Sequence, residues 1–125
     1  MTQRTQTGAR LLLALIRLVN GTIGLLAPRL ILRRMGAQGA GHPAAQYALR
    51  LFGIRTILIA IDLLRPAGGV RDHAIRVAPL IHASDTLAAT LAARSGVLPR
   101  RTATGIVAIS GVNTLLALLM QPRRR

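Results

Sequence analysis

The sequence of 125 residues has no cysteine, tryptophan, lysine or glutamate, and it has only one Tyr and one Phe. Without cysteine, the chain can form no disulfide, no thiolate nucleophile and no Cys-ligated zinc or iron–sulfur site. The three histidines, His42, His73 and His82, lack the i, i+4 spacing of a helical metal site. We therefore expect no metal and no cofactor. The length predicts one domain, residues 1–125.

Arginine supplies all 17 basic residues, against three aspartates, and the formal net charge is +14. A soluble surface normally carries about 25–35% charged residues of both signs, whereas this chain has 16% charged and 51% hydrophobic residues and a mean hydropathy of +0.45. The arginines interrupt apolar runs, and there is no set of aromatic side chains on which bases could stack, so we expect no nucleic-acid partner. The composition indicates a membrane protein whose main partner is the lipid bilayer.

Four apolar stretches, 11–32, 47–64, 74–93 and 104–120, are separated by short segments rich in Gly, Pro and Arg. Each is near the roughly 20 residues that cross about 30 Å of hydrocarbon as a helix. A soluble bundle would need polar outer faces, but the final stretch is apolar all round. Because Arg17 interrupts the first apolar run after six residues, we expect a retained helix and not a signal peptide. The predicted fold is all-α, an antiparallel bundle of four transmembrane helices with short Gly/Pro/Arg loops.

Four crossings place both termini on one side of the membrane, and the arginines then divide eight to seven between the two sides. The terminal side has Arg4, Arg10, Arg65, Arg71, Arg76 and the triplet 123–125, and the other side has Arg29, Arg33, Arg34, Arg50, Arg94, Arg100 and Arg101. This bias is close to zero, so insertion in both orientations stays open. The C-terminal triplet favours cytoplasmic termini in a multi-pass protein of a cell membrane, the bacterial inner membrane.

Of the ionisable residues inside the apolar stretches, five are the most informative: Arg17, Arg55, Asp62, His82 and Asp85. On insertion scales such a residue costs about 2.5–3.5 kcal/mol near the bilayer centre, so it persists when it is paired, hydrated or functional. His82 and Asp85 are three residues apart and adjacent on one helix face. An aspartate that accepts from an imidazole suits a proton-transferring histidine, which makes His82 and Asp85 the candidate catalytic pair.

The short loop between the second and third predicted helices makes them a hairpin. Residues at the same depth in this hairpin can meet, which predicts a partner for His82 and Asp85. Arg55 is ten residues before Arg65 and His82 is ten after Asp72, so Arg55 and His82 lie at similar depth in a hairpin. We expect a cluster of Arg55 with Asp85 or His82, and Asp62 on the same helix face nearer the loop. The first and fourth predicted helices contribute further members of this cluster, namely Arg17, Asn20 and Asn113. The alternative is that these residues only hold the helices in register, at about 0.6 kcal/mol for each interhelical hydrogen bond.

The pattern R-x-x-G-x-R at residues 50–55, followed by His82-x-x-Asp85, resembles a family of small uncharacterised four-helix integral membrane proteins. This family occurs in actinobacteria and fungi and is grouped as a domain of unknown function. The resemblance spans most of the chain. It implies the same membrane fold and no specific activity, and it makes Arg55 and Asp85 the first positions to test.

Three functions are open on the sequence. An accessory or structural membrane protein, with a membrane-protein partner or a second copy of the chain, is preferred. A small proton-coupled transporter would use Asp85 or Asp62 as its titrating site and carry an anionic or neutral solute. An intramembrane enzyme on a lipid-soluble substrate would use His82 and Asp85 as acid and base, with Arg55 polarising an oxygen. An enzyme is less favoured, because no nucleophile motif or cofactor loop accompanies that pair.

Overall fold

A computed structural model describes residues 2–36 and 42–122, and within them it confirms that the chain is all-helical. This part of the chain forms five helices: α1 (Gln3–Leu26), α2 (Pro28–Arg34), α3 (Pro43–Leu64), α4 (Gly69–Arg94) and α5 (Arg100–Leu119). Gly36 and Gly96 follow the ends of α2 and α4 with φ of 67° and 74°, the left-handed conformation in which glycine commonly ends a helix. The arginine triplet 123–125 and residues 37–41, in the Gly-rich segment before α3, lie outside the described residues.

The first predicted helix, 11–32, is two elements in the structure. α1 begins much earlier than predicted, because the Thr2 side chain accepts a hydrogen bond from the Thr5 backbone N–H and caps the helix. It ends before Pro28, whose ring cannot continue the hydrogen-bond ladder of α1 but suits the first turn of α2. The later helices begin at Pro43, Gly69 and Arg100, and not at 47, 74 and 104. The predicted starts were too late, because they were set at the first residue of each apolar stretch. The residues just before each stretch are less apolar and are nevertheless helical.

The four long helices pack as two pairs, α1 with α3 and α4 with α5, and the pairs meet through α1–α5 and α3–α4 contacts. Two hydrogen bonds bring both termini to one end of the molecule, which we name the terminal end. Gln6 Nε2 donates to the Gln121 carbonyl at 2.8 Å, and Gln121 Nε2 donates to the Ile75 carbonyl at 2.6 Å. Arg10 also donates to the Leu63 carbonyl there. Helix α2 lies at the opposite end, the α2 end.

Three glycines form the seam between α1 and α3. A Cβ built on Gly53 would lie 2.6 Å from the Gly21 carbonyl oxygen and 2.6 Å from the Leu25 nitrogen, and a Cβ on Gly21 would lie 2.8 Å from the Gly53 oxygen. Gly24 faces the same seam, where its Cβ would lie 3.2 Å from the Leu49 oxygen. The two backbones are therefore in direct contact, as small residues allow between membrane helices. This gives the glycine of the R-x-x-G-x-R pattern a packing role.

The hydrophobic core occupies the terminal half of the molecule. Its buried members are Ala9, Leu13, Ala14, Leu63, Ala78, Leu116, Ala117 and Met120. They belong to the first half of α1, the last turn of α3, the first half of α4 and the last turns of α5. Toward the α2 end the helix pairs do not close on each other, and a cavity of about 660 Å³ lies between them.

Large apolar side chains are exposed on every long helix. Examples are Leu15 on α1, Leu58 on α3, Leu87 on α4 and Leu115 on α5. Within the described residues, α1 and α5 are the two helices that are long and apolar enough to cross a membrane by composition. Charged residues interrupt α3 and α4, and a bundle of four membrane-crossing helices stays a prediction.

Candidate functional site

Four polar side chains lie between the hydrophobic core and the cavity, and we name them the polar layer: Arg17, His82, Asp85 and Asn113. Three of them lie about one helical turn from a core residue, toward the α2 end, and Asp85 is one turn beyond His82. Leu13 precedes Arg17 on α1, Ala78 precedes His82 on α4, and Ala117 comes four residues after Asn113 on α5. The periodicity of three helices thus places the polar layer at one level, where Arg17, Asp85 and Asn113 form the floor of the cavity.

An ion pair crosses the polar layer from α1 to α4. Arg17 Nη2 donates to Asp85 Oδ2 at 3.2 Å. Arg17 is 4% exposed, whereas the Asp85 side chain keeps 35% of its surface accessible and lines the cavity. Since α1 packs mainly on α3 and α5, the long arginine side chain reaches across the interior to its partner. The pair links the two helix pairs to each other.

His82 lies behind Asp85 as seen from the cavity. The imidazole is 0% exposed, and it does not line the cavity. Its Nδ1 is 3.8 Å from Asp85 Oδ2, beyond hydrogen-bond distance, and neither ring nitrogen has a hydrogen-bond partner among the described residues. A molecule in the cavity would therefore meet Asp85 and not the imidazole.

Arg55 and Asp62 lie outside the polar layer. The inward face of α3 is formed by its buried residues Gly53, Thr56, Ala60 and Leu63, and Arg55 is exposed on another face. Asp62 Oδ1 accepts from Arg65 Nε at 3.1 Å in an exposed pair at the end of α3. The predicted contact of Arg55 with Asp85 or His82 is not found among the described residues, because α3 packs chiefly on α1 and less on α4. This packing brings Arg17, in place of Arg55, to Asp85.

The cavity has a polar floor and mostly apolar walls. Its floor includes Arg17, Asp85 and Asn113, and its apolar wall residues include Ile23, Ile31, Phe52, Ile106 and Ile109. Polar residues also line it, namely Asn20 on α1, Arg34 on α2, and Thr102 and Ser110 on α5. One face of α5 lines it from Thr102 to Asn113, about 16 Å at the α-helical rise of 1.5 Å per residue. The hydrophobic core closes the terminal end below this floor.

Two polar atoms at the floor have no hydrogen-bond partner among the described residues. They are Arg17 Nε, a donor, and Asn113 Oδ1, an acceptor, and both residues are 4% exposed. A buried polar group left unpaired costs about 1–3 kcal/mol. Both atoms are enclosed by protein, so each is a cost to the folded state and not an open hydrogen-bonding position on the cavity surface.

A hydroxyl pair beside the polar layer joins α4 to α5. Thr86 Oγ1 and Thr114 Oγ1 are 2.8 Å apart, and Thr86 Oγ1 also donates to the His82 carbonyl at 2.9 Å. Over the described ranges, no group of three His, Cys, Asp or Glu side chains could hold a metal ion. Asp85 and His82 together provide only two such side chains.

Comparisons of the chain with protein-family models, with curated proteins and with solved structures found no match. The resemblance to the uncharacterised four-helix family stays a prediction that rests on the R-x-x-G-x-R and H-x-x-D patterns.

Proposed function

We propose that the chain is a small integral membrane protein in which α1, α3, α4 and α5 cross the bilayer as an antiparallel bundle. The polar layer lies between α1, α4 and α5, and the first role we assign to it is structural, namely to hold these three helices together. The bilayer is the partner of the outer surface. We place the protein in a bacterial inner membrane with cytoplasmic termini, in keeping with the expected topology.

The observation that carries this proposal is the distribution of polar and apolar side chains. Leu58, Leu87 and Leu115 are exposed, while Arg17 and His82 are buried. Soluble monomers seldom expose contiguous apolar patches of more than a few hundred Å², whereas helices in lipid face outward with apolar residues and inward with polar ones. The exposed leucines of α3 and α4 support a lipid-facing position for these two helices as well.

Arginines at both ends of the molecule fit the same arrangement. Arg10, Arg71 and Arg76 line a second pocket, of about 490 Å³, at the terminal end, and α2 carries Arg33 and Arg34 in its last turn at the opposite end. Arginine side chains at helix ends reach the headgroup region while their stems stay in apolar surroundings. The apolar belt between these two groups would then match the hydrocarbon of the bilayer.

The sequence contains no tryptophan, so the fluorescence of a single introduced tryptophan can be measured without background from other tryptophans. In phosphatidylcholine vesicles with brominated acyl chains, we expect strong fluorescence quenching of Leu58→Trp on α3 and Leu87→Trp on α4. Val97→Trp is the control, because Val97 is 80% exposed in the loop between α4 and α5. Quenching of the first two by aqueous iodide, with no effect of bromine, would show that α3 and α4 do not face lipid.

A small transporter is a second candidate function, because the cavity is open and the core closes the opposite half of the molecule. Asp85 lines the cavity, and an intramembrane carboxylate is a common site for proton coupling. In this role Asp85 would exchange its proton as the solute enters or leaves. The solute would be neutral or anionic, since Arg17 repels a cation.

The transporter role predicts proton flux in vesicles that contain the protein and a pH-sensitive dye. Adding small alcohols or carboxylates outside should move protons in the wild type and not in Asp85→Asn. Asp62→Asn is the matched control, because Asp62 forms an exposed pair with Arg65 away from the cavity and should keep the flux. Circular dichroism verifies that each variant is folded, and equal flux with Asp85→Asn would exclude this role for Asp85.

A further inference from the structure

We infer that the second pocket, at the terminal end, binds a phosphate group, which the bilayer supplies as the headgroup of an anionic phospholipid. The inference deepens the proposed membrane location and rests on it. This terminal pocket has a volume of about 490 Å³ and lies between α1, α4 and the residues that follow α5. Three arginines line it: Arg10 on α1, and Arg71 and Arg76 on α4.

The charge of the terminal pocket favours an anion. Asp72 is the one acidic residue of its described lining, so three positive side chains against one negative give a net charge of +2. The other polar residues that line it are uncharged: Gln3, Gln6 and Thr7. No ion pair among the described residues includes Arg10, Arg71 or Arg76. Arg10 and Arg71 are close enough to repel each other, and a bound anion would offset that repulsion.

The arginine side chains favour phosphate among the anions. Each guanidinium presents its N–H groups as a planar fork that matches two oxygens of a phosphate. The terminal pocket has such side chains on two helices, Arg10 on α1 and Arg71 and Arg76 on α4. A carboxylate has two oxygens and is matched by one fork, whereas a phosphate has enough oxygens to accept from several arginines at once.

The walls of the terminal pocket are held in place by hydrogen bonds. Gln6 donates to the Gln121 carbonyl at 2.8 Å, and Gln121 donates to the Ile75 carbonyl on α4 at 2.6 Å. The Nε of Arg71 is enclosed by protein, which restrains the stem of this side chain, while Arg71 as a whole is only partly buried and lines the pocket. A ligand would therefore meet a site that is largely formed before it binds.

The position of the terminal pocket fits the headgroup layer of the bilayer. Helix α4 has 26 residues, about 39 Å at 1.5 Å per residue, against about 30 Å of hydrocarbon. Its first turns, which carry Arg71 and Asp72, can therefore extend beyond the hydrocarbon. Ile75 and Pro122 add apolar surface beside the arginines, as a headgroup attached to acyl chains requires. Basic pockets between membrane helices bind anionic headgroups in this way.

Native mass spectrometry in detergent micelles tests the inference, with dioleoyl phosphatidic acid as the probe. Its reference is dioleoyl phosphatidylcholine, whose phosphate is neutralised by choline. The wild type should retain one phosphatidic acid at a concentration roughly tenfold lower than phosphatidylcholine. Arg71→Gln and Arg76→Gln should each weaken this retention about tenfold. Arg10 is kept, because it also donates to the Leu63 carbonyl and its loss would disturb the packing of α1 on α3.

Two further variants at the same end serve as checks. Arg4→Gln removes a positive charge from the first turns of α1 outside the lining of the terminal pocket, and it should leave retention unchanged. Asp72→Asn removes the acid from the pocket and should strengthen retention severalfold, which a general loss of stability would not do. Circular dichroism verifies that each variant is folded. Equal losses with Arg4→Gln and Arg71→Gln would contradict the location of the site.

Competition with millimolar inorganic phosphate distinguishes the two sources of a phosphate group. Phosphatidic acid that stays bound assigns the terminal pocket to a lipid, whereas displacement by inorganic phosphate would assign it to a soluble phosphate and overturn the lipid source. Oleate carries a carboxylate in place of the phosphate, and oleate that is retained as well as phosphatidic acid would contradict a phosphate site.

The outcomes separate this inference from the membrane proposal. If brominated phosphatidylcholine quenches Leu87→Trp but phosphatidic acid is retained no better than phosphatidylcholine, only the headgroup site is overturned. If brominated phosphatidylcholine fails to quench Leu87→Trp, the membrane location is overturned, and the lipid source of the phosphate is overturned with it.

Discussion

Asp85→Asn is expected to lower the free energy of unfolding by about 3–5 kcal/mol, because it leaves the buried Arg17 without its counter-charge. Arg17→Met should cost less than Asp85→Asn, since Asp85 keeps 35% of its side-chain surface accessible and can be solvated. The double variant Arg17→Met/Asp85→Leu should recover most of the stability, because apolar side chains of similar volume often replace a buried ion pair without loss. Denaturation in mixed detergent micelles, followed by circular dichroism, measures all three.

The control for this series is Asp62→Asn. Its ion pair with Arg65 is exposed, and exposed pairs contribute about 0–1 kcal/mol. If Asp85→Asn proved as mild as Asp62→Asn, the Arg17–Asp85 pair would not be what holds α1 to α4. A double variant as unstable as the sum of the two single ones would contradict the coupling of the two residues.

Gly53→Ala is expected to lower the free energy of unfolding by about 3 kcal/mol, the upper end of the usual cost of overpacking. The added methyl group would lie 2.6 Å from the Gly21 oxygen and the Leu25 nitrogen. Both are backbone atoms, so α1 and α3 would have to move apart along their whole seam. The same denaturation assay, together with the loss of helical content on heating, measures the effect.

Gly105→Ala is the matched control for Gly53→Ala, because its Cβ would meet nothing within 4 Å. Replacing glycine by alanine within a helix stabilises it by about 0.5–1 kcal/mol when there is room, so this variant should be unchanged or slightly more stable. Equal stability of Gly53→Ala and Gly105→Ala would show that the seam between α1 and α3 is wider than the structure has it.

The helical fold could be predicted from the sequence, because apolar stretches bounded by Gly and Pro depend only on local chemistry. The helix starts could not be placed by hydropathy, since Thr2 caps a polar first turn and Pro43 begins α3 as a favoured N-terminal residue. The polar residues of the interior were recognisable for a similar reason, as each interrupts an apolar run.

The partners of these interior polar residues could not be predicted from their depth along the helices alone. Arg55 and Arg17 are both arginines inside apolar stretches, and the choice between them depends on which face of α3 meets α1. That face is selected by Gly21, Gly24 and Gly53, whose seam leaves Arg55 exposed. The spacing of Gly21 and Gly24 was a signal for this seam. The cavity depends on how the two helix pairs diverge, which no single helix encodes.

The most direct test of the account is the ratio of bromine quenching between Leu87→Trp and Val97→Trp in one preparation of brominated phosphatidylcholine vesicles. Leu87 is 61% exposed on α4, the helix most interrupted by charge, and Val97 is exposed in the following loop. Because apolar side chains cover the outside of the bundle and polar ones lie inside it, we predict severalfold stronger quenching at position 87 than at position 97. A ratio of one or less would contradict the proposal that α4 faces lipid and that the polar layer lies within a membrane.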